Sequence, residues 1–186
     1  MTCMERLRKP DIEQRPAVHA GVASAIRAAA ESVHAPTRLR APIAEERRAL
    51  WWRAARVLGA LATLAVGAVH LEQYFKLYSG VPTIGTLFVL NFACATAIGL
   101  ALLVPVERLA GRHGRVAVTL LALAGVGLSV TSFVFLAISE RTSLFGFREP
   151  GYDPAAITAA RISEIAAVAL LGTFLVARIT RHRRST

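Results

Sequence analysis

Four long apolar stretches follow one another along the second two thirds of the chain, and polar segments separate them. They cover approximately residues 54–77, 84–106, 116–138 and 155–179. An α-helix needs about 20 residues to cross about 30 Å of hydrocarbon, so each stretch is long enough to span a bilayer. The two central stretches are the clearest, because 116–138 has no charged residue and Asn91 is the most polar member of 84–106. The pattern predicts an all-α fold, a transmembrane four-helix bundle.

The last apolar stretch is less regular than the others. It carries Arg161 and Glu164 in its first half, which leaves residues 165–177 as its strictly apolar part. That part alone is too short to cross a bilayer, but the span is long enough once residues 155–161 are included. The arginines that begin at Arg178 indicate where this span ends, at a membrane interface.

Residues 1–50 form a different kind of segment. They contain four prolines, many arginines and alanines, and no apolar run long enough to span a membrane or to form a core. This composition predicts a basic cytoplasmic tail that is mostly disordered, with a short helix over residues 18–33, followed by a transmembrane domain over residues 51–186. A cleavable signal peptide is not predicted, because the first apolar core lies about 50 residues from the start instead of next to a basic region.

The composition supports a membrane location. Hydrophobic residues make up 54% of the chain and charged residues only 18%, which is too little charge for the surface of a soluble domain. The net charge of +10 is concentrated in the tail and at the C-terminal end. That distribution fits flanks that face anionic lipid, and no aromatic or groove-entering element accompanies it. The predicted partner is therefore the lipid bilayer and not nucleic acid, and a homo-oligomer or a membrane-protein partner stays open.

The distribution of Lys and Arg predicts the topology. The part of the chain before Val57, the segment between spans two and three, and the C-terminal end carry eleven, three and four basic residues, eighteen in all, against three on the other side. The positive-inside rule places the eighteen in the cytoplasm. Trp51 and Trp52 with Arg53 and Arg56 are typical of the inner interface. The chain is thus predicted to be a multi-pass plasma-membrane protein with both termini in the cytoplasm.

Five polar residues lie inside the predicted spans at a similar depth. By the rise of 1.5 Å per residue, they lie about 10 Å inside the outer boundary. Polar groups in hydrocarbon are costly and are functional candidates by default. The sequence therefore predicts an intramembrane polar cluster of His70, Asn91, Thr131, Ser132 and Glu164.

A purely structural interpretation competes with this one. Asn, Ser and Thr in membrane helices often form only interhelical hydrogen bonds of about 1 kcal/mol, and we favour that role for Asn91, Thr131 and Ser132. For His70 and Glu164 the two interpretations are balanced, because a carboxylate in hydrocarbon is harder to explain. We predict that these two side chains face each other as a direct pair.

Helical phase adds further expectations for the first span. Gly59, Thr63 and Gly67 share a face with His70, and their small size lets a neighbouring helix approach closely. Glu72 lies about 200° around the helix from His70 at 100° per residue, so it points elsewhere. We expect it to reach out to the interface together with Gln73 and Lys76.

Signals for an enzyme are missing from the sequence. It contains no HExxH, GxSxG, P-loop or GxGxxG pattern, and Cys3 and Cys94 are too far apart for a CxxC site. A transmembrane haem needs axial ligands from the spans, and only His70 lies inside one, whereas His113 is about 30 Å away. We predict no cofactor and no catalytic residue, so that an enzyme is the less favoured class.

Two functional hypotheses remain. The first is a non-enzymatic membrane component that handles a small molecule or an ion, or that serves as an accessory subunit. The second is a membrane redox or metal-binding protein in which His70 is a ligand. The segment GFREPGYDP, with Arg148, Glu149 and Asp153, could form an ordered cap, but a solvated loop is the preferred interpretation.

Two segments carry a family resemblance. HLEQYFKLYSGVPTIGTLFVLN, residues 70–91, and LFGFREPGYDPAAITAARISEIAAVALL, residues 144–171, resemble segments of small four-span integral membrane proteins of actinobacteria. The shared features are His-Leu near the end of the first span, Pro-x-Ile-Gly after a short turn, Leu-Phe-x-x-Asn, and a Glu in the last span. The resemblance covers about 50 of the 186 residues. It implies a membrane location and four spans, and it implies no activity, since none is known for that family.

Overall fold

The computed structural model describes residues 15–184, and within them the side chains of 21–30, 46–47 and 49–180. This part of the chain is helical and contains no β-strand. Helix α1 is followed by a π-helical turn and by three more helices: α1 Arg15–Gln73, the turn Tyr74–Tyr78, α2 Pro82–Leu103, α3 Val106–Arg141 and α4 Pro154–Arg184.

Four helical segments are long and apolar enough to cross a membrane. They are Ala49–Tyr78, Pro82–Leu103, Val106–Arg141 and Pro154–Thr180. All four belong to one compact unit, Ala49–Thr186. The prediction of an all-α bundle with four membrane-spanning helices is confirmed, and each predicted span falls largely within one of these segments.

The other unit of the chain is Met1–Arg48. Residues 15–48 are helical in the structure, and residues 1–14 lie outside the described part, so the disordered tail stays a prediction. The helix predicted over residues 18–33 falls within α1. Its alanines favour helix strongly, because alanine has no side-chain entropy to lose there.

A tight turn joins the π-helical turn to α2. The backbone N–H of Val81 donates to the Tyr78 carbonyl over 3.1 Å, and Pro82 then opens α2, where its missing N–H has no helical partner to lose. Position 85, in the first turn of α2, requires a glycine because the backbone of the preceding turn lies close to it. A Cβ on this glycine would lie 2.6 Å from the Tyr78 carbonyl oxygen, so a larger residue would push the two helix ends apart.

The connection between α2 and α3 differs from the prediction. The sequence predicted a polar loop over residues 107–115 and a span from 116, but α3 begins at Val106 and is interrupted only at Ala110 and Gly111. Gly111 has φ +49°, a conformation that glycine adopts readily. Because of this kink the chain turns sharply within helical structure, and Gly114 packs directly on the backbone of Val106.

Small residues set the distances between the helices. The backbone at Gly59 lies against Leu171 of α4, and the backbone at Gly67 lies against Ala95 of α2. On α3, Gly125 also packs against Leu171. In lipid no hydrophobic force drives helices together, so close approach over small residues provides the packing energy. The face predicted on the first span therefore does contact neighbouring helices.

Candidate functional site

A cavity of about 240 Å³ lies inside the bundle near the end that carries the π-helical turn and the 142–153 loop. We call this end the loop end. Residues from all four spanning helices line the cavity. They include the five polar residues that the sequence placed at one depth: His70, Asn91, Thr131, Ser132 and Glu164. The structure thus brings the predicted cluster together, although what the cluster does stays a hypothesis.

His70 joins α1 to α3. Its Nδ1 lies 2.8 Å from the Val66 carbonyl oxygen, and its Nε2 lies 2.9 Å from the Ser132 hydroxyl. A carbonyl can only accept, so Nδ1 carries the hydrogen and donates to Val66. In the neutral ring Nε2 is then the acceptor, and the Ser132 hydroxyl donates to it. The imidazole also packs on Phe88 of α2, with 5.0 Å between ring centroids.

Glu164 is the most unusual residue of the cavity. Only 1% of its surface is exposed, and neither carboxylate oxygen has a hydrogen-bond partner among the described residues. The Ser132 hydroxyl lies next to the carboxyl group, but its single hydrogen is donated to His70, so it could only accept a hydrogen bond from a protonated Glu164. An unpaired buried carboxyl is costly and is rare in folded proteins. This group therefore calls for an explanation.

The direct pair predicted between His70 and Glu164 is not formed. No ion pair joins them within the described part of the chain, and both imidazole nitrogens have other partners. The physical reason is that α3 supplies a hydroxyl, from Ser132, within reach of both side chains. Depth along the helices could place the two residues at one level, but it could not show which side chain lies beside each of them.

Asn91 and Thr131 have different environments. The Asn91 carbonyl oxygen is buried and, like the Glu164 oxygens, lacks a partner among the described residues. Thr131 lines the cavity but is exposed on the surface of the bundle. The interhelical hydrogen bond expected of this group of residues is therefore present at Ser132 alone.

A second layer of polar groups closes the loop end of the cavity. The Tyr78 hydroxyl donates a short hydrogen bond to the Glu149 carboxylate, which is 7% exposed and also accepts from the backbone N–H of Gly151 over 2.8 Å. The backbone N–H of Glu149 donates to the Ser139 carbonyl of α3. The 142–153 loop is thus tied to the bundle through Glu149, as in the ordered cap that the sequence offered as an alternative, while most of its other side chains are exposed to solvent.

Asp153 ties the same cap to the beginning of α4. Its carboxylate accepts from the backbone N–H of Ala156 over 3.0 Å and from the Gln73 side chain over 3.1 Å. The first contact is an N-cap, which satisfies a free N–H at the start of the helix. These hydrogen bonds, the Ala156 one first, lower the pKa of Asp153 below its ordinary value of 3.8.

The π-helical turn explains why both Gln73 and Tyr78 reach the cavity. In an α-helix, two side chains five residues apart, such as Gln73 and Tyr78, point in directions about 140° apart, at 100° per residue. The wider i→i+5 turn rotates the chain by a smaller angle per residue, so both side chains lie on the same side of the helix. The expectation that Gln73 points outward is wrong, since it is 5% exposed. Glu72 and Lys76 do lie at the surface, where Nζ of Lys76 is 2.5 Å from Oε1 of Glu72.

The remaining cavity wall is apolar and rich in aromatic rings. It is formed chiefly by Ile84, Leu87, Phe88, Phe135, Leu136, Phe147 and Ile157. The lining includes neither lysine nor arginine. Leu90 and Cys94 of α2, together with Thr131 of α3, line the cavity and are also exposed. The cavity wall between α2 and α3 therefore lies next to the surface of the bundle.

The opposite end of the bundle holds an ion-pair cluster that the sequence did not reveal. Glu107 accepts from Arg56 over 2.6 Å and from Arg178 over 2.9 Å, which joins α1, α3 and α4. Arg56 also donates to the carbonyls of Leu102 and Val104 at the end of α2. We call this the arginine end. One sequence feature could have indicated the cluster: Glu107 is the sole acidic residue of the basic segment 107–115. The sequence analysis had instead placed Arg56 at the membrane interface.

Metal ligation finds little support in this geometry. Among the described residues, no group of three or more His, Cys, Asp and Glu side chains is placed to hold a metal ion. Both nitrogens of His70 already have hydrogen-bond partners.

Comparison with known protein families, curated proteins and solved structures gives no match for this chain.

Proposed function

We propose that this multi-pass membrane protein binds a small molecule in the cavity at its loop end. The observation that carries the proposal is the buried carboxyl of Glu164, which faces a cavity of about 240 Å³ and has no partner among the described residues. Ligand sites are typically apolar cavities with a few convergent polar groups. The unpaired oxygens supply such a group, and the aromatic wall supplies the apolar surface.

The size and position of the cavity set limits on the molecule. An engineered apolar cavity of about 150 Å³ binds benzene, so a volume of 240 Å³ admits a molecule somewhat larger than one aromatic ring. Entry between α2 and α3, where lining residues are exposed, would let an amphipathic molecule reach the cavity from the bilayer. A small-molecule handling role therefore fits better than an accessory subunit without a ligand, and nothing in the geometry favours His70 as a metal or redox ligand.

We also propose the setting in which this site works. The excess of basic residues on the arginine-end side supports an orientation with that end and both termini in the cytoplasm, so that the loop end faces outward. A bacterial plasma membrane and kinship with the small four-span proteins of actinobacteria are part of the same proposal, supported by the sequence resemblance alone. A homo-oligomer or a membrane-protein partner is compatible with it.

The test is binding by the purified protein in phosphatidylcholine nanodiscs. Calorimetry with 2-phenylethylamine and 2-phenylethanol should detect saturable binding of at least one of them. Leu136→Trp should abolish that binding, because Leu136 lines the cavity and the larger ring would fill it. Leu123→Trp is the matched control, since Leu123 is on the same helix, is 52% exposed and does not line the cavity. Absence of saturable binding, or equal binding by the Leu136→Trp variant, would refute the proposal.

A further inference from the structure

The cavity is lined by acidic groups whose charge is unevenly compensated. Glu149, Asp153 and Glu164 contribute carboxyls to the lining, which has no lysine or arginine. Glu149 accepts from Tyr78 and from backbone N–H groups, and Asp153 accepts from Gln73 and Ala156. Glu164 alone of the three has no such donor among the described residues. Any positive charge that enters the cavity therefore meets one unpaired carboxyl at its deepest polar level.

Among the residues that the structure describes, the elements packed around Glu164 offer it no free cation. Arg161, one turn earlier on α4, is already paired with Glu140 of α3. His70 of α1 is the one other basic side chain of the lining, but burial away from water disfavours its charged form, and in the neutral ring Nε2 accepts from Ser132. The other titratable side chains of the lining come from the π-helical turn, α2 and the cap: Tyr78, Cys94, Glu149 and Asp153. None of these four can carry a positive charge, so the compensation has to come from a proton or from a ligand.

We propose that the ligand is a monovalent organic cation with a small apolar body, and that its charged nitrogen binds Glu164 in exchange for a proton. This inference rests on the proposed function and names the class of molecule. The cationic nitrogen would face the carboxyl, and rings such as Phe88 and Phe135 would pack on the apolar body and on the nitrogen substituents, as in cation–π recognition. A hydrated metal ion fits poorly, because Mg²⁺ and Ca²⁺ require about six or more oxygen ligands.

The exchange balances in atoms and charge. In the empty cavity Glu164 holds a proton and is a neutral acid, which avoids the high cost of an unpaired buried charge. When a quaternary ammonium ion enters, the O–H bond of the acid breaks and the proton leaves for bulk water. The carboxylate that remains pairs with the ammonium ion. One positive charge enters and one leaves, so the buried site stays neutral in both states.

The experiment uses benzyltrimethylammonium as the probe, because it carries a permanent charge and no exchangeable proton. Its binding to the full-length protein in phosphatidylcholine nanodiscs is measured by calorimetry at neutral pH in two buffers with different ionisation enthalpies. The expected result is saturable binding with release of about one proton per site, since Glu164 is the one group that changes state. Affinity should fall as the pH is lowered, because protons then compete for Glu164.

Variants and a neutral analogue complete the test. Glu164→Gln should weaken benzyltrimethylammonium binding at least tenfold and end proton release, whereas Glu72→Gln, the same change at an exposed position, should leave both unchanged. The number of protons that the wild-type protein releases per bound cation still tests the inference if Glu164→Gln does not fold. Binding without proton release, or binding of 2-phenylethanol tenfold tighter than the cation, would overturn the inference and leave the proposed function intact. Binding of none of the three molecules, benzyltrimethylammonium, 2-phenylethylamine and 2-phenylethanol, would refute both.

Discussion

The Ser132 hydroxyl of α3 donates a hydrogen bond to Nε2 of His70 of α1 over 2.9 Å, deep within the loop end of the bundle. This hydrogen bond links two helices that are not neighbours in sequence. It also fixes the imidazole, whose other nitrogen donates to Val66. A hydroxyl that the sequence treated as one of several equivalent polar groups thus has a specific partner.

Replacement of Ser132 should therefore destabilise the bundle. Ser132→Ala leaves Nε2 of His70 without a donor and should cost about 0.5–1.5 kcal/mol of unfolding free energy, the usual range for such hydrogen bonds in membranes. Thr131→Ala is the matched control, because that neighbouring hydroxyl is on an exposed side chain. Unfolding by SDS titration in mixed micelles measures both variants. Equal losses in the two would contradict the assigned hydrogen bond.

The ion-pair cluster at the arginine end makes a second prediction. Glu107→Gln removes the counter-charge of both Arg56 and Arg178, whose side chains are only 10% and 23% exposed. We expect a loss of about 2–3 kcal/mol, somewhat below the range for fully buried pairs. Glu72→Gln removes an ion pair whose side chains are both 55% exposed and should cost under about 0.5 kcal/mol. SDS titration measures the unfolding free energy of both variants. A loss for Glu107→Gln as small as that for Glu72→Gln would show that the ion-pair cluster does not stabilise the bundle.

The contact between Tyr78 and Glu149 should control the order of the cap. Tyr78→Phe removes the hydroxyl that donates to a buried carboxylate, so it should cost about 1–3 kcal/mol. Hydrogen exchange of the 142–153 loop should become faster, since the Glu149 side chain also holds the backbone there. Tyr152→Phe serves as the control because Tyr152 is 70% exposed. Unchanged exchange in Tyr78→Phe would mean that other contacts order the cap.

The start of α4 should respond to acid through Asp153. Because the folded-state pKa of Asp153 lies below its ordinary value of 3.8, its ionised form stabilises the fold at neutral pH. That contribution is complete above the unfolded-state pKa and is lost as the pH falls through the folded-state pKa. The stability difference between the wild type and Asp153→Ala should therefore shrink below about pH 4. Asp153→Asn keeps a capping oxygen and should show a smaller difference. A difference that does not vary with pH would exclude the charge as its source.

The proposed orientation can be tested by cysteine labelling. Single cysteines in a Cys-free background at positions 79 and 143 should react with an impermeant thiol reagent on intact cells, whereas a cysteine at position 185 should react only after permeabilisation. The expectation follows from the eighteen-to-three distribution of basic residues in the flanks and loops. Labelling at position 185 of intact cells without labelling at position 79 would reverse the orientation.

The sequence by itself determined the number and approximate limits of the membrane spans. In hydrocarbon every backbone polar group needs an internal partner, so an apolar run of about 20 residues can hardly be anything other than a helix. The same reasoning placed His70 and Glu164 at one depth, because the rise along a helix is fixed at 1.5 Å per residue. These inferences depend on composition and on one-dimensional spacing, which a sequence states directly.

Only the tertiary structure decided which polar side chains are partners. The rotation of each helix, the π-helical turn before Tyr78 and the kink at Gly111 set the directions of the side chains, and none of these follows from hydropathy. They bring Ser132 to His70 and leave the Glu164 carboxyl without a hydrogen-bond partner in the described part of the chain. Partner choice depends on distances of a few tenths of an ångström between helices far apart in sequence. Those distances are fixed by packing over small residues such as Gly125, and not by the polar residues themselves.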